Sequence, residues 1–210
     1  MLPFDVIILA GGLGTRLKSV VNNKQKVFAP VNGVPFITFV LKWLKIYDVK
    51  RVTLALGHLA QSAIEELPII EKITGVECSP IIEPMRLGTG GGAIFALPHC
   101  GHREHVLIMN GDSLLPLNLT NFWLQHQTTQ AAMSIAGVWV DNIARYGHLE
   151  IQENSTRLNQ FVEKNNLDVG GYINGGMYLI RKDVLKHFPH AKNFSMETEL
   201  IPHVLNNAPV

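Results

Sequence analysis

Apolar residues run along this chain in two alternating rhythms. Val6-Ile7-Ile8-Leu9-Ala10 is a continuous run that stops at Gly11-Gly12, the pattern of a strand buried on both faces; an edge strand would alternate apolar with polar. Phe36, Phe39, Val40, Trp43, Leu44 and Tyr47 then recur at steps of three and four, which predicts an amphipathic helix lying on a sheet. Its aromatic members can also be read as a cofactor box, but helical spacing favours a core stripe. Apolar runs at 52–56, 106–109, 158–162 and 177–180 predict further strands, and segments near 60–67, 91–97 and 122–127 predict helices. Alternation of this kind belongs to the α/β class, a largely parallel sheet flanked by helices. From about Ala132 the apolar segments shorten and the helices between them lose definition, which predicts the sheet's second half and an acceptor-side lobe.

In such sheets ligands bind beyond the carboxyl ends of the strands, where Gly11-Gly12, Gly57-His58 and Asn110-Gly111-Asp112 all fall. Three loops are therefore expected to converge on one crevice. With 210 residues and no linker or repeat, the chain reads as a single domain spanning 1–210. Apolar residues at 47% against 17% charged supply a core, and a net charge of +1 without a basic run gives no footprint for nucleic acid or an anionic membrane. Met1-Leu2-Pro3-Phe4-Asp5 lacks the features of a secretory signal, and no apolar run reaches membrane-spanning length, so a cytoplasmic protein is expected. Cys78 and Cys100, far apart and without metal-like pairing, read as reduced thiols.

The first strand runs into Leu9-Ala10-Gly11-Gly12-Leu13-Gly14-Thr15-Arg16-Leu17. Its glycines let backbone N–H groups approach polyphosphate oxygens, and Arg16 adds a forked cation. A dinucleotide fingerprint would need Gly at 17 and a Walker loop Gly at 16 or 17 followed by Lys, so both fail on spacing; a tight structural turn is the plain alternative. Asp112 closes the run 106–109, placing a carboxylate at a strand end where a hard cation bridging triphosphate oxygens needs one or two anionic ligands. A turn Asp bonding its own backbone is its rival reading. Glu163-Lys164 ends the run 158–162, and could bind a sugar hydroxyl and its phosphate or form a solvated surface pair. His99-Cys100-Gly101-His102 and His105 suggest zinc, but their spacing matches no closed finger pattern and the segment reads as loop.

The run Gly11-Gly12-Leu13-Gly14-Thr15-Arg16-Leu17, with Lys26 and Pro30-Val31 after it, resembles the signature of the sugar nucleotidyltransferases. The resemblance continues through Glu83-Pro84, Leu87-Gly88-Thr89-Gly90-Gly91, Asn110-Gly111-Asp112, Arg145-Tyr146-Gly147, Phe161-Val162-Glu163-Lys164 and Ile173-Asn174-Gly175-Gly176, nearly the whole chain. In spacing and length the chain is most similar to the D-glycero-D-manno-heptose 1-phosphate guanylyltransferases, with the mannose-1-phosphate guanylyltransferases next. The resemblance implies a Rossmann-like, GT-A-like, mostly parallel sheet and a Mg²⁺-dependent reaction of GTP with a sugar 1-phosphate, serving bacterial surface polysaccharide.

Carried over residue by residue, it implies a nucleotide site of Ala10, Gly11, Gly12, Gly14, Thr15, Arg16, Glu83, Gly88 and Thr89, with Glu83 reading guanine. Arg16 and Lys26 would neutralise the triphosphate and the leaving pyrophosphate, and Asp112 would hold the metal. Gly147, Glu163, Lys164, Asn174 and Gly175 would bind the sugar phosphate, glycine-containing turns being the plain alternative for the last pair and Gly147. Two departures stand out. Gln25 occupies the position before Lys26 where the family usually has Pro, and the family's late Asp in Phe-x-Asp-x-Gly is missing before the chain ends at Asn206-Asn207-Ala208-Pro209-Val210. Either the last strand of the family fold is lacking, or Asp112, water and substrate hold the metal alone. A nucleotide-binding regulator without turnover is accordingly a second reading; a glycosyltransferase is a third, weakened because Asp112 is followed by Ser113-Leu114 where Asp-x-Asp is usual.

Overall fold

A computed structural model describes residues 2–12, 24–164, 167–190 and 192–210. Strand β1 (Phe4–Ala10) is followed by a 3-10 turn (Lys26–Phe28), a small hairpin of β2 (Pro30–Val31) and β3 (Val34–Pro35), and helix α1 (Phe36–Ile46). Then come β4 (Arg51–Leu56), α2 (Ala60–Thr74), β5 (Glu77–Ile82), α3 (Gly88–Ala96), β6 (His105–Asn110) and α4 (Leu119–Thr128). The remainder comprises β7 (Met133–Val140), β8 (His148–Ile151), β9 (Leu158–Val162), β10 (Gly171–Arg181), a π-helical turn (Met196–Leu200) and α5 (Ile201–Asn207).

These elements build the expected sheet flanked by helices, in the order β5-β4-β1-β6-β10-β8-β9 with β7 also on β10. Strands β5, β4, β1 and β6 are parallel neighbours, and the second half runs antiparallel. The seam is β10. Its later residues pair with β6 from Met177↔Met109 to Arg181↔His105, its earlier ones pair with β8 at Tyr172↔Leu149, and β7 follows both parts. Alternate side chains of β1 enter different cores: Val6 and Ile8 face α1 and α2, whereas Ile7 faces α3 and α5. Burial on both faces is why this strand reads as an unbroken apolar run.

In α1 the buried stripe is Ile37, Val40, Leu41, Trp43 and Leu44, while Phe39 faces solvent. The predicted helix is present, rotated so that Ile37 and Leu41 take the core places given to Phe39. Helix α2 passes through Pro68 and ends at Gly75, whose φ of 64° suits the left-handed cap and whose N–H donates to Glu71 O. Packing of Leu67 and Ile70 in the core outweighs the hydrogen bond that Pro68 cannot make.

His126 on α4 is 1% exposed, with Nδ1 2.7 Å from Ser134 Oγ and its ring edge-on to His105. Burial, then the neighbouring His105 and Arg181 charges, lower its pKa to about 4. The unfolded chain takes up this proton near pH 6.5 and the folded chain only near 4, so stability present above 6.5 is lost as pH falls between them. Urea titrations should show a loss on the order of 3 kcal/mol over that window, reduced in His126→Phe. A wild-type profile as flat as the variant's would contradict it.

Candidate active site

The three loops predicted to converge do so through glycine contacts. A Cβ on Gly57 would sit 2.7 Å from Gly11 O, and one on Gly111 would sit 2.8 Å from Ile8 Cγ2. The ends of β4 and β6 can therefore close on the end of β1, and Gly111 N–H donates to Leu9 O. Beyond them opens a cleft of about 870 Å³, lined by Ala10, Gly11, Gly12, Lys26, Glu83, Arg86, Gly88, Thr89, Asn110, Asp112 and the segment Asn193–Ser195.

Glu83 follows β5, its N–H donating to Leu56 O, and its carboxylate enters a cage with no side chains on two sides. A Cβ on Gly11 would meet Oε1 at 2.8 Å, and one on Gly92 at 2.7 Å. Leu87 N–H donates weakly to Oε2 at 3.3 Å. Burial raises the Glu83 pKa, partly offset by that N–H. A half-buried carboxylate with one long hydrogen bond has most of its acceptor capacity free for a ligand.

Across the cleft, Lys26 Nζ donates to Asp112 Oδ2 at 2.6 Å, with both side chains well exposed. Gln25, at the family's proline position, has φ −64° and ψ 145°, the geometry a proline would adopt. Its buried amide donates to His58 O at 2.7 Å. A side-chain tether to the β4–α2 loop thus takes the place of a ring in holding the Lys26 backbone.

The start of α3 is covered by the segment after β10. Gly90 and Gly91 N–H groups donate to Phe194 O, and Thr89 Oγ1 donates to Glu197 Oε2 while accepting from Met196 N–H. These groups are committed internally, so Gly88 and Thr89 face the cleft as a wall. A Cβ on Gly91 would land on the Lys192 carbonyl and 3.1 Å from Leu87 Cβ. Gly91→Ala should displace the 192–195 segment, costing about 1–3 kcal/mol of stability. Urea unfolding checks this, and a wild-type value would overturn the packing argument.

The residues expected at the acceptor end lie at one edge of the β8–β9–β10 half. Asn174 N–H donates to Gly147 O at 3.4 Å, and His148 pairs with both Val162 and Ile173, so Gly147, Glu163 and Asn174 are neighbours. Gly175 and Gly176 sit in a bulge of β10, not in a turn between elements. A Cβ on Gly175 would be 2.7 Å from Ala136 O; Gly176 has φ 70°, and its Cβ would strike the Asn110 amide. The bulge brings Gly176 against Asn110 at the end of β6. Glu163 and Lys164 are exposed and form no ion pair with each other or with other described residues. Gly14, Thr15 and Arg16 lie outside the described residues.

Asn193, Phe194 and Ser195, and the Glu197 carboxylate behind them, were not indicated by the sequence reading. The available signal was Ser195-Met-Glu-Thr-Glu199, a helix-start pattern in which Ser195 Oγ accepts from Glu197 and Thr198 N–H. A second groove of about 930 Å³ lies under α4, β7 and the β8–β9 hairpin, away from Glu83 and Asp112.

A glycine-lined crevice at the ends of parallel strands, with a lysine and a strand-end carboxylate facing a caged glutamate, is the arrangement of a nucleotide-handling enzyme. The chain belongs to the Nucleotidyl transferase family, which residues 5–209 match. It is 32% identical over 193 residues to D-glycero-alpha-D-manno-heptose 1-phosphate guanylyltransferase of Campylobacter jejuni, covering 92% of this chain and 83% of that protein. Its fold is similar to that of HddC from Yersinia pseudotuberculosis, with TM-score 0.83 and 35% identity over 95% of this chain and 85% of HddC. The structure of HddC complexed with GMP-PN gives TM-score 0.82 at 34% identity and the same coverage.

Proposed function

We propose that this enzyme transfers GMP from GTP to a sugar 1-phosphate, D-glycero-D-manno-heptose 1-phosphate ahead of mannose 1-phosphate, yielding a GDP-sugar and pyrophosphate. The observation that carries the reading is the meeting of Gly11, Glu83, Lys26 and Asp112 in one cleft; the names of the relatives support the choice of nucleotide and sugar. The acceptor's phosphate oxygen forms a bond to the α-phosphorus of GTP as the bond from that phosphorus to the β-phosphate bridging oxygen breaks, and pyrophosphate leaves with the electron pair. A phosphate monoester is largely ionised at neutral pH, its second pKa being about 6, so no separate base is needed. Positioning and charge stabilisation carry the catalysis.

Glu83 accepts from guanine N1–H and the N2 amino group, a donor pair that adenine and uracil lack. Gly11 and Gly12 let the backbone approach the triphosphate; Lys26, with Arg16, neutralises the leaving pyrophosphate. Gly147, Glu163 and Asn174 border the sugar, and Lys164 holds its phosphate.

Asp112 fits Mg²⁺: an exposed carboxylate already paired with a cation at the cleft, where a metal that retains waters and takes phosphate oxygens needs one or two carboxylates. When bound, the ion neutralises charge building on the triphosphate oxygens. A reaction that consumes GTP fits a cytoplasmic enzyme that supplies activated heptose for surface polysaccharide; among the described residues no helix is long and apolar enough to cross a membrane.

A regulator that binds GTP without turnover is the second reading that the sequence leaves open. Pyrophosphate release with GTP and a panel including heptose and mannose 1-phosphates decides between them. Release with the heptose supports the transferase; GTP binding without release from any sugar phosphate supports the regulator.

A further inference from the structure

The Glu197 carboxylate accepts hydrogen bonds from the cleft wall at Thr89 and from Tyr178, buried beside Asn174. Oε2 accepts from Thr89 Oγ1 and from Ser195 Oγ, each at 2.8 Å, and Oε1 accepts from Tyr178 Oη at 3.3 Å. Tyr178 Oη in turn accepts from Asn174 Nδ2 at 2.7 Å, and Asn174 Oδ1 accepts from Gly176 N–H at 2.9 Å. The hydroxyls of Thr89, Ser195 and Tyr178 each direct their single proton to Glu197, so the bond directions converge on one carboxylate. Residues far apart in sequence, on α3, on the β10 bulge and in the π-helical turn, are thereby locked together.

Capping its own helix does not account for this side chain. Ser195 Oγ already accepts from Glu197 and Thr198 N–H, and Glu199 accepts from Ser195 N–H. The start of the turn is satisfied without the Glu197 carboxylate, which reaches instead to Thr89, on the nucleotide wall, and to Tyr178, which is 0% exposed and faces Asn174 at the acceptor edge.

We propose that Glu197 is a positioning residue that couples the nucleotide and acceptor subsites, holding Thr89 and Asn174 in one register so that ordering of one by its substrate favours ordering of the other. The proposal rests on the GTP and sugar phosphate reading above. Its two limbs can be cut separately: Tyr178→Phe removes only the acceptor limb and keeps the ring in the core, and Glu197→Gln sends a donor amide against hydroxyls that are themselves donors.

The test combines steady-state pyrophosphate release with amide hydrogen exchange at Gly176, whose N–H reports the far end of the chain. Tyr178→Phe should raise KM for the sugar phosphate at least about tenfold, the loss of one charge-assisted link, and change the Kd for GTP less than twofold. Glu197→Gln should raise both constants and lower kcat, and adding Tyr178→Phe to it should cause little further loss, because the residues act as one unit. In the wild type, GTP should slow exchange at Gly176 several-fold; in folded Glu197→Gln it should not. Equal GTP-induced protection in both, or wild-type kcat and KM in a folded Glu197→Gln whose melting temperature alone has dropped, would overturn the proposal and leave a structural bond. A wild type that binds GTP without releasing pyrophosphate would sink the transferase reading, while exchange at Gly176 would still judge the coupling.

Discussion

Asp112→Asn is expected to lower kcat for pyrophosphate release by on the order of 10³-fold while the protein stays folded. The side chain stands exposed at the end of β6, and its ion pair with Lys26 lies in solvent, where such pairs are worth about 0–1 kcal/mol. Removing the charge therefore costs the fold little. Its cost falls on the reaction: a neutral amide of the same shape no longer offers the anionic oxygen that a hard cation requires, and Lys26 loses the partner that orients it. Pyrophosphate release at saturating GTP and Mg²⁺, beside a thermal melt, separates the two effects. A folded variant turning over within a few-fold of wild type would remove Asp112 from the site.

Glu83→Gln is expected to reduce the GTP to ATP ratio of kcat/KM by at least about tenfold, one lost charge-assisted hydrogen bond. The cage made by Gly11 and Gly92 leaves the head group no room to turn aside, so an amide there presents a donor to one of guanine's two donors. The same substitution should stabilise the ligand-free protein. Because burial holds the native pKa of Glu83 above its unfolded value, its contribution to stability is complete below the unfolded pKa and is lost as pH rises through the folded one. Ionisation of the buried group is thus a burden that the amide removes, and the gain in melting temperature of Glu83→Gln over wild type should grow as pH is raised from 4 to 7. An unchanged nucleotide ratio would take guanine reading away from Glu83; a lower melting temperature at pH 7 would show its carboxylate to be better satisfied than its single long hydrogen bond suggests.

Legibility of the fold followed burial. Strands β1, β4 and β6 are covered on both faces, so nearly every position is apolar and the runs announce themselves. Edge strand β5 was not predicted: Pro80 interrupts it, and an edge tolerates a proline that a central strand would not. Helix α2 was predicted only to Leu67 for a similar reason, since tertiary packing carries it past Pro68. In the antiparallel half the signal faded because β8 and β9 are short and half exposed, and no local pattern shows that β10 serves two neighbours.

Of the candidate site, Gly11 and Asp112 were legible because their chemistry stands at the ends of predicted strands, whereas Glu83, which follows the unpredicted β5, came from the family resemblance. For Asn174 and Gly175 a turn stood as the alternative to a binding role, because a bulge inside a strand uses the same residues as a turn. Glu197 and Tyr178 were illegible. Their partners lie on separate elements, and each alone reads as an ordinary helix-start acid and an ordinary core aromatic.

The late arrival of β10 bears on how the chain is made. While it emerges from the ribosome, β6 has β1 on one side and nothing on the other until Met177–Arg181 appears, roughly 70 residues later and several seconds at about 5–20 residues per second. During that interval the nascent chain presents an open strand edge with an apolar centre, Val106 to Met109, ready to pair with a neighbouring chain. Slowing translation between codons 110 and 177 should therefore lower the yield of native protein more than an equal pause placed after codon 181.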